Sequence, residues 1–330
     1  EEMTSSSSAE HDSSSLMVAR FRRDGFVVVE DVLSPDEVET ALTGMASMSW
    51  SSSTRGGVYD VFWERWKLRA TLENETYART YRALFRGTYL RGDGLWAHPF
   101  SAEVEDDDVY FHVDRIGSRL PTKATTTIPK KTPLAQKSLS PHLDCCPNDM
   151  YPADSRWRPI QSLVALSGGV GPEEGGFECA RGFHADFEAY YEGRRCACVG
   201  DYVAVNATEV LRRFEHVRVP PGAALFWDRR VPHANARFNH SDVTRRCIYG
   251  GFLPRGPRVN RDYARRQLQR ARLGLPQPDF WIKQQQQRSE PLDLDYLDSL
   301  SAAAKHLLGL DDFGEDDDLP GDDCVLETGD

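Results

Sequence analysis

The hydrophobic pattern of the chain changes character near Val109. Before that point apolar residues recur mostly at helical spacing. Leu16–Arg23 reads as a short helix, and Phe26-Val-Val-Val29, which follows Asp24-Gly25, reads as a strand because β-branched residues favour extended backbone. Ser34-Pro35-Asp36-Glu37 predicts a helix start, with serine as N-cap, proline in the first turn and acids beside the positive helix end. Val38, Leu42 and Met45 supply its apolar stripe. Ser51–Gly57 reads as a loop and Val61–Arg86 as helical. After Val109 the pattern becomes short strands between Gly/Pro loops: Val109–Ile116, Ile160–Leu166, Gly176–Ala180, Tyr202–Val205, His216–Val219, Ala223–Trp227 and Arg246–Leu253. Many short strands predict a sandwich or barrel, here behind an N-terminal helical layer. Gly117–Ser140 is a long Thr/Lys/Pro loop, a length that usually signals function or disorder. Asn260–Leu273 reads as a basic helix and Asp293–Leu308 as one more amphipathic helix. No internal repeat is visible. The expected layout is a disordered stretch over 1–15, one catalytic domain over 16–288, a C-terminal helix within 289–310 and an acidic disordered tail over 311–330.

Composition adds limits. The chain has 330 residues, 40% of them hydrophobic and 28% charged, enough for a full core. Its net charge is −11, but residues 311–330 carry ten Asp or Glu and no Lys or Arg, so the body alone is near −1. The acidity therefore carries no argument about substrate, and a nucleic-acid backbone is excluded as the expected partner. Seven cysteines, an odd number without zinc-site spacing, read as reduced thiols. Cys145 and Cys146 are adjacent and cannot easily bridge each other. No apolar run approaches the ~18 residues of a membrane span, and the serine-rich Glu1–Ser15 lacks the apolar segment of a signal peptide. A cytoplasmic monomer acting on a small molecule is the expectation.

The candidate chemistry lies in Ser140-Pro-His142-Leu-Asp144-Cys-Cys-Pro147. A histidine and an aspartate two apart on extended backbone point the same way and can reach one ion. A third ligand has to come from elsewhere, and His233, after the buried-looking run Ala223-Ala-Leu-Phe-Trp227, is the candidate. Two histidines and one carboxylate on one face of a metal is the ligand set of non-heme iron(II) oxygenases. The bland reading is a proline-flanked turn and a solvated loop histidine. A second copy, His112-Val-Asp114, lies inside an apolar strand pattern, and spacing alone leaves the two copies even. Arg245 opens a later strand and suits the far carboxylate of a dicarboxylate co-substrate, which a planar guanidinium binds two-pronged. Arg246 faces the other side of that strand, so only one of them serves; otherwise both are surface charges.

Five segments in order resemble the Fe(II)/2-oxoglutarate oxygenases of the phytanoyl-CoA dioxygenase superfamily, which includes ectoine hydroxylase. They are Phe21-Arg-Arg-Asp-Gly-Phe-Val-Val-Val29 with Leu33-Ser-Pro-Asp-Glu-Val38; Tyr110-Phe-His-Val-Asp-Arg115-Ile; Gly175-Gly-Phe-Glu-Cys-Ala-Arg-Gly-Phe-His184; Gly222 to His233; and Arg245, three before Ile248. The resemblance spans about residues 20–253. It selects between the copies, putting His112 and Asp114 on the strand before the metal turn and His142 and Asp144 on the metal motif. It implies a mainly β, cupin-like double-stranded β-helix, or jelly roll, with N-terminal and flanking α-helices. It implies Fe(2+) on His142, Asp144 and His233, 2-oxoglutarate held by Arg245, O2 as oxidant, ascorbate as reductant in vitro, and oxidation of a substrate C–H bond. Asn235 stands where the family has a serine that contacts the co-substrate, and Arg-Gly-Phe replaces its Pro-Gly-Ser before His184. Relatives that halogenate lack the motif's acid, so Asp144 argues against halogenation. Arg115, with Lys130, Lys131 and Lys137 of the long loop, is set to meet a carboxylate. The implied substrate is a small anionic or amino-acid-like metabolite, hydroxylated or oxidatively cyclised, as in algal kainoid formation by enzymes of similar plan. Fatty acyl-CoA is the superfamily alternative. A non-catalytic cupin-like binding protein and a zinc hydrolase with the same ligands are the readings from other classes.

Overall fold

The computed structural model describes residues 3–48, 57–90, 103–121, 140–148, 156–199, 201–278 and 289–313. The strands are β1 (Phe26–Val29), β2 (Val58–Tyr59), β3 (Val109–Arg119), β4 (His142–Leu143), β5 (Ile160–Ser167), β6 (Phe177–Ala180), β7 (Val203–Ala204), β8 (Phe214–His216), β9 (Ala224–Asp228), β10 (His233–Asn235) and β11 (Arg245–Pro254). The helices are α1 (Met3–Asp24), α2 (Pro35–Ala46), α3 (Arg65–Ala70), α4 (Glu75–Thr88), α5 (Phe183–Tyr191), α6 (Thr208–Leu211), α7 (Arg261–Arg272), α8 (Leu294–Ser299) and α9 (Ala302–Leu308). Among the described residues the strands form two sheets, ordered β1-β9-β5-β11-β3-β2 and β7-β4-β10-β6-β8, every pair antiparallel. This is the expected mainly β jelly roll with flanking helices.

Side-chain alternation divides the core into layers. Along β5, Val164 packs outward in the cluster that includes Tyr77, Tyr81 and Phe85 of α4 and Phe252 of β11. Leu163 and Ala165 point the other way, into the space between the sheets, with Phe177, Trp227 and Cys247. A period of two thus gives this strand one face for the helical layer and one for the sandwich interior. Ser162, on the outer face, shares a 2.7 Å hydrogen bond with the Tyr77 hydroxyl. Gln161, on the inner face, stands beside the site described below.

The helix starts follow capping chemistry. Ser34 is the N-cap expected for α2, and Glu37 completes a reciprocal capping box with it. The expected Val61–Arg86 helix is two helices, because Asn74 caps α4 by accepting from the Tyr77 N–H at 2.8 Å. Asp293–Leu308 divides likewise, at Ser301, whose side chain caps α9. Helix α1 begins at Met3, so the serine-rich stretch read as disordered lies largely within it. Strand β8 pairs with β6 earlier than expected, while Val217 and Val219 pack between the sheets beyond its end. Helix α5 is missing from the sequence reading, although Phe183 and Phe187, four apart, are its buried face. Lys130, Lys131 and Lys137 lie outside the described residues.

The cysteine reading needs correction. Cys146 and Cys198 form a disulfide across 52 residues, while Cys145, Cys179, Cys196 and Cys247 are free thiols. Adjacency kept Cys146 from Cys145, but the partner comes from the loop after α5. No described helix is long and apolar enough to cross a membrane.

The acidic stretch begins inside the fold. Asp312 pairs with Arg255 at 2.8 Å and accepts from the Tyr110 hydroxyl, and Asp311 pairs with Arg255 at 2.9 Å and His306 at 2.7 Å. Phe313 is buried and stacks on Tyr110. Truncation after Phe313 is expected to leave the melting temperature unchanged, since all of these contacts are kept. Truncation after Leu310 removes a buried aromatic and partners of the mostly buried Arg255, and is expected to cost roughly 2–4 kcal/mol. Equal denaturation midpoints for both truncations would sink this reading.

Candidate metal centre

Strands β4 and β10 are neighbours, and His142 and His233 are direct partners across that antiparallel pair. Opposite positions project to the same face, and the ring centroids are 4.4 Å apart. Asp144 follows His142 by two and presents Oδ1 3.6 Å from His142 Nε2 and Oδ2 3.5 Å from His233 Nε2. One ligand atom from each lies within 4.8 Å of the others, the only such group among the described residues.

The far sides of the rings set which nitrogen is available. His142 Nδ1 is 2.8 Å from the Ser140 carbonyl oxygen, and His233 Nδ1 is 3.0 Å from that of Val231. A carbonyl only accepts, so each Nδ1 carries the hydrogen and each Nε2 keeps its lone pair. Burial, then the neighbouring His233, pushes His142 down to about 4, which keeps it neutral at ordinary pH. For Asp144 burial alone would raise the pKa, but His142, His233 and Arg158 outweigh it and hold the carboxyl well below its usual range. Tyr202 stacks on His142, and Phe177 and Trp227 pack against His233. Gln161 Nε2 donates to Asp144 Oδ2 at 2.8 Å, and Arg229 Nη2 donates to the Asp144 backbone carbonyl at 3.2 Å. Cys145, next in sequence, is no nucleophile, because burial pushes its thiol up to about 12.

The turn that delivers His233 is built on a buried ion pair. Asp228 is fully buried and holds Arg230 through two 2.9 Å contacts, and it accepts from the Tyr89 hydroxyl at 2.6 Å. The Asp228 backbone carbonyl accepts from the Val231 N–H at 2.9 Å, and the Val231 carbonyl is the one that orients His233. The sequence reading passed over Asp228 and Arg230. Their signal was the charged run Asp228-Arg229-Arg230 at the end of an otherwise apolar strand.

Arg245 is 4% exposed, yet its polar contacts are neutral: Nη1 donates to Asn235 Oδ1 at 3.0 Å and to the Tyr249 hydroxyl at 3.3 Å. Among the described residues no carboxylate forms an ion pair with it. Its direct partner on β3 is Arg119, also buried, which burial and then Arg245 push down to about 10. A buried cation without a protein counter-ion suits an anionic ligand. Arg246 is half-buried on the opposite face and next to Ser118. Asn235 thus touches Arg245, and Tyr249 joins them although the sequence reading did not single it out.

The second His-x-Asp copy is engaged elsewhere. Arg158 Nη1 is 2.8 Å from His112 Nε2 and 3.5 Å from Asp114 Oδ2. Arg115, on the same strand, pairs through Nε with Asp60 at 3.1 Å. The β3–β11 register shifts between Ile248 and Gly250, so Asp114 and Arg115 together oppose Tyr249. Such a bulge re-aims the side chains beside it.

The Asp114 carbonyl accepts from Lys67, which is fully buried and also donates to the Val61 carbonyl at 2.7 Å. Burial lowers the Lys67 pKa to about 7, against 10.5 when exposed. The folded protein therefore releases this proton first, and the unfolded chain binds more protons between those two values. Stability should rise with pH across that window, by up to about 1.4 kcal/mol per pH unit from this group. Denaturant midpoints for wild type and Lys67→Met at several pH values between 7 and 10 check this. The difference between the two proteins should change with pH in that direction, and a constant difference refutes it.

A jelly roll with two histidines and an aspartate between its sheets has the design of a non-heme iron protein. The Phytanoyl-CoA dioxygenase (PhyH) family profile matches residues 21–247, and the chain belongs to that family. No curated protein matches the sequence. Among solved structures, GlcNAc Inducible Gene 2 of Candida albicans superposes with a TM-score of 0.68 at 14% identity, over 92% of this chain and 77% of that one. A hypothetical protein from Escherichia coli superposes at 0.63 with 16% identity, over 88% and 80%. At these identities both establish the fold alone.

Proposed function

We propose that this chain is an iron(II)- and 2-oxoglutarate-dependent oxygenase in which His142, Asp144 and His233 hold the metal. The observation that carries the reading is the pair of imidazoles whose Nδ1 atoms are tied to carbonyls while both Nε2 atoms face one carboxylate. Iron(II) bound there supplies dioxygen activation, driven by oxidative decarboxylation of 2-oxoglutarate to succinate and spent on a substrate C–H bond. Arg245 takes the far carboxylate of 2-oxoglutarate, and Asn235 and Tyr249 hold the guanidinium ready for it. Tyr202, Phe177 and Trp227 keep the imidazoles in place.

The substrate is a small anionic or amino-acid-like metabolite, hydroxylated or oxidatively cyclised. Arg158, whose charge acts on Asp144 and whose side chain is 24% exposed, supports an anionic group near the metal. A fatty acyl-CoA is the competing substrate class. The test is succinate formation from 2-oxoglutarate with iron(II), ascorbate and a panel of both metabolite classes, with and without oxygen. Oxygen-dependent succinate accelerated by one member is the expected result. Turnover of a substrate without oxygen would favour a zinc hydrolase. Iron binding without succinate under any condition would favour a binding protein.

A further inference from the structure

We infer that Gln161 is a positioning residue for the metal carboxylate, an assignment that rests on the metal reading above. Gln161 is on β5, in the opposite sheet from the histidines, and its Nε2 crosses the sandwich to Asp144 Oδ2 at 2.8 Å. Asp144 otherwise presents its two oxygens almost evenly, 3.6 and 3.5 Å from the two Nε2 atoms. Nothing in the histidines distinguishes one oxygen from the other. The amide does so: it donates to Oδ2 and leaves Oδ1 as the donor for an ion. A carboxylate pinned in this way binds through one oxygen and leaves more of the coordination sphere open for co-substrate and oxygen.

The other end of the same amide points to a ligand. Gln161 is 5% exposed, and its Oε1 is buried with no hydrogen-bond partner. Buried amide oxygens are ordinarily satisfied, so something that donates a hydrogen bond completes this one when the site is filled. Fully ionised 2-oxoglutarate carries only acceptors and cannot be that group. A metal ion held by three protein ligands retains water in its other positions, and such water is a strong donor. We assign Oε1 to a metal-bound water. Gln161 then grips the site at two points, the carboxylate through Nε2 and the water through Oε1.

The experiment is titration of metal-free protein with Co(II), followed by absorbance and calorimetry, for wild type, Gln161→Met and Gln161→Asn. Methionine keeps the length and loses both polar ends, and asparagine keeps the amide but falls one methylene short. Each variant should bind Co(II) about 10- to 100-fold more weakly. The metal-free melting temperature of Gln161→Met should be equal or higher, because a buried amide oxygen without a partner is removed. Weaker binding with an unchanged or raised metal-free melting temperature supports positioning. Co(II) affinity within twofold of wild type in both variants overturns it. So does a loss that appears only alongside a lowered metal-free melting temperature in both, because that is a structural role. Asp144→Ala is the control for the underlying reading. If wild type binds Co(II) no better than Asp144→Ala, the metal assignment itself fails and the role of Gln161 falls with it.

Discussion

His142→Ala and Asp144→Ala are each expected to abolish iron binding at micromolar metal and to abolish 2-oxoglutarate turnover, whereas His112→Ala keeps both. Each of the first two changes removes one of three donors that converge within 4.8 Å. Replacing residues that merely support ligands already costs about 10- to 100-fold in metal affinity, so losing a ligand should exceed that. His112 is as buried as the metal histidines, and the same two-residue spacing links it to an aspartate. Its Nε2, however, is 2.8 Å from Arg158, and no third donor approaches among the described residues. Burial, and then the Arg158 charge, hold its pKa well below the ordinary value, so it is a neutral acceptor for that guanidinium. His112→Ala should therefore lower stability by roughly 1–3 kcal/mol through the lost hydrogen bond to Arg158 and leave metal content intact. Metal content by atomic absorption, with melting temperatures for all three variants, separates the cases. Loss of metal in His112→Ala and its retention in His142→Ala would reverse the assignment.

What could be read in the chain differed from element to element for physical reasons. Strands β5, β9 and β11 were legible because their apolar residues are dense and bounded by Gly, Pro or charge. Strand β4 is two residues long and carries no pattern of its own; the His-x-Asp spacing left its copy even with His112-Val-Asp114, and the family resemblance chose it. Histidine 233 could be nominated but not placed, because its pairing with His142 depends on sheet order, which no local signal encodes. The Cys146–Cys198 link was hidden for the same reason, since 52 residues separate the partners. The ion pair of Arg115 with Asp60 was not legible either, because their segments meet only across the folded sheet. Gln161 and Tyr249 escape a sequence reading because each meets a site residue through a contact that only the folded sheets create.

Arg245→Lys is expected to raise the Michaelis constant for 2-oxoglutarate by ~30-fold to several-thousand-fold, while Arg246→Lys leaves it close to wild type. The guanidinium of Arg245 is buried and held by Asn235 and Tyr249, so its orientation is set before any ligand arrives. Lysine keeps the charge but has one nitrogen on a flexible stem, which cannot bind a carboxylate two-pronged. Losing a buried charge-assisted contact of this kind costs on the order of 2–5 kcal/mol, which sets the fold-change. Metal affinity should hold in Arg245→Lys, because His142, Asp144 and His233 are untouched. Arg246 alternates to the opposite face of β11 and is half-buried there. The measurement is initial succinate formation against 2-oxoglutarate concentration in both variants, with iron content determined in parallel. A crippled Arg246→Lys beside a normal Arg245→Lys would mean that the co-substrate lies on the helical side of the large sheet. Normal constants in both would mean that the far carboxylate is held by another group, and Arg119, the direct partner of Arg245 on β3, would be the next residue to replace.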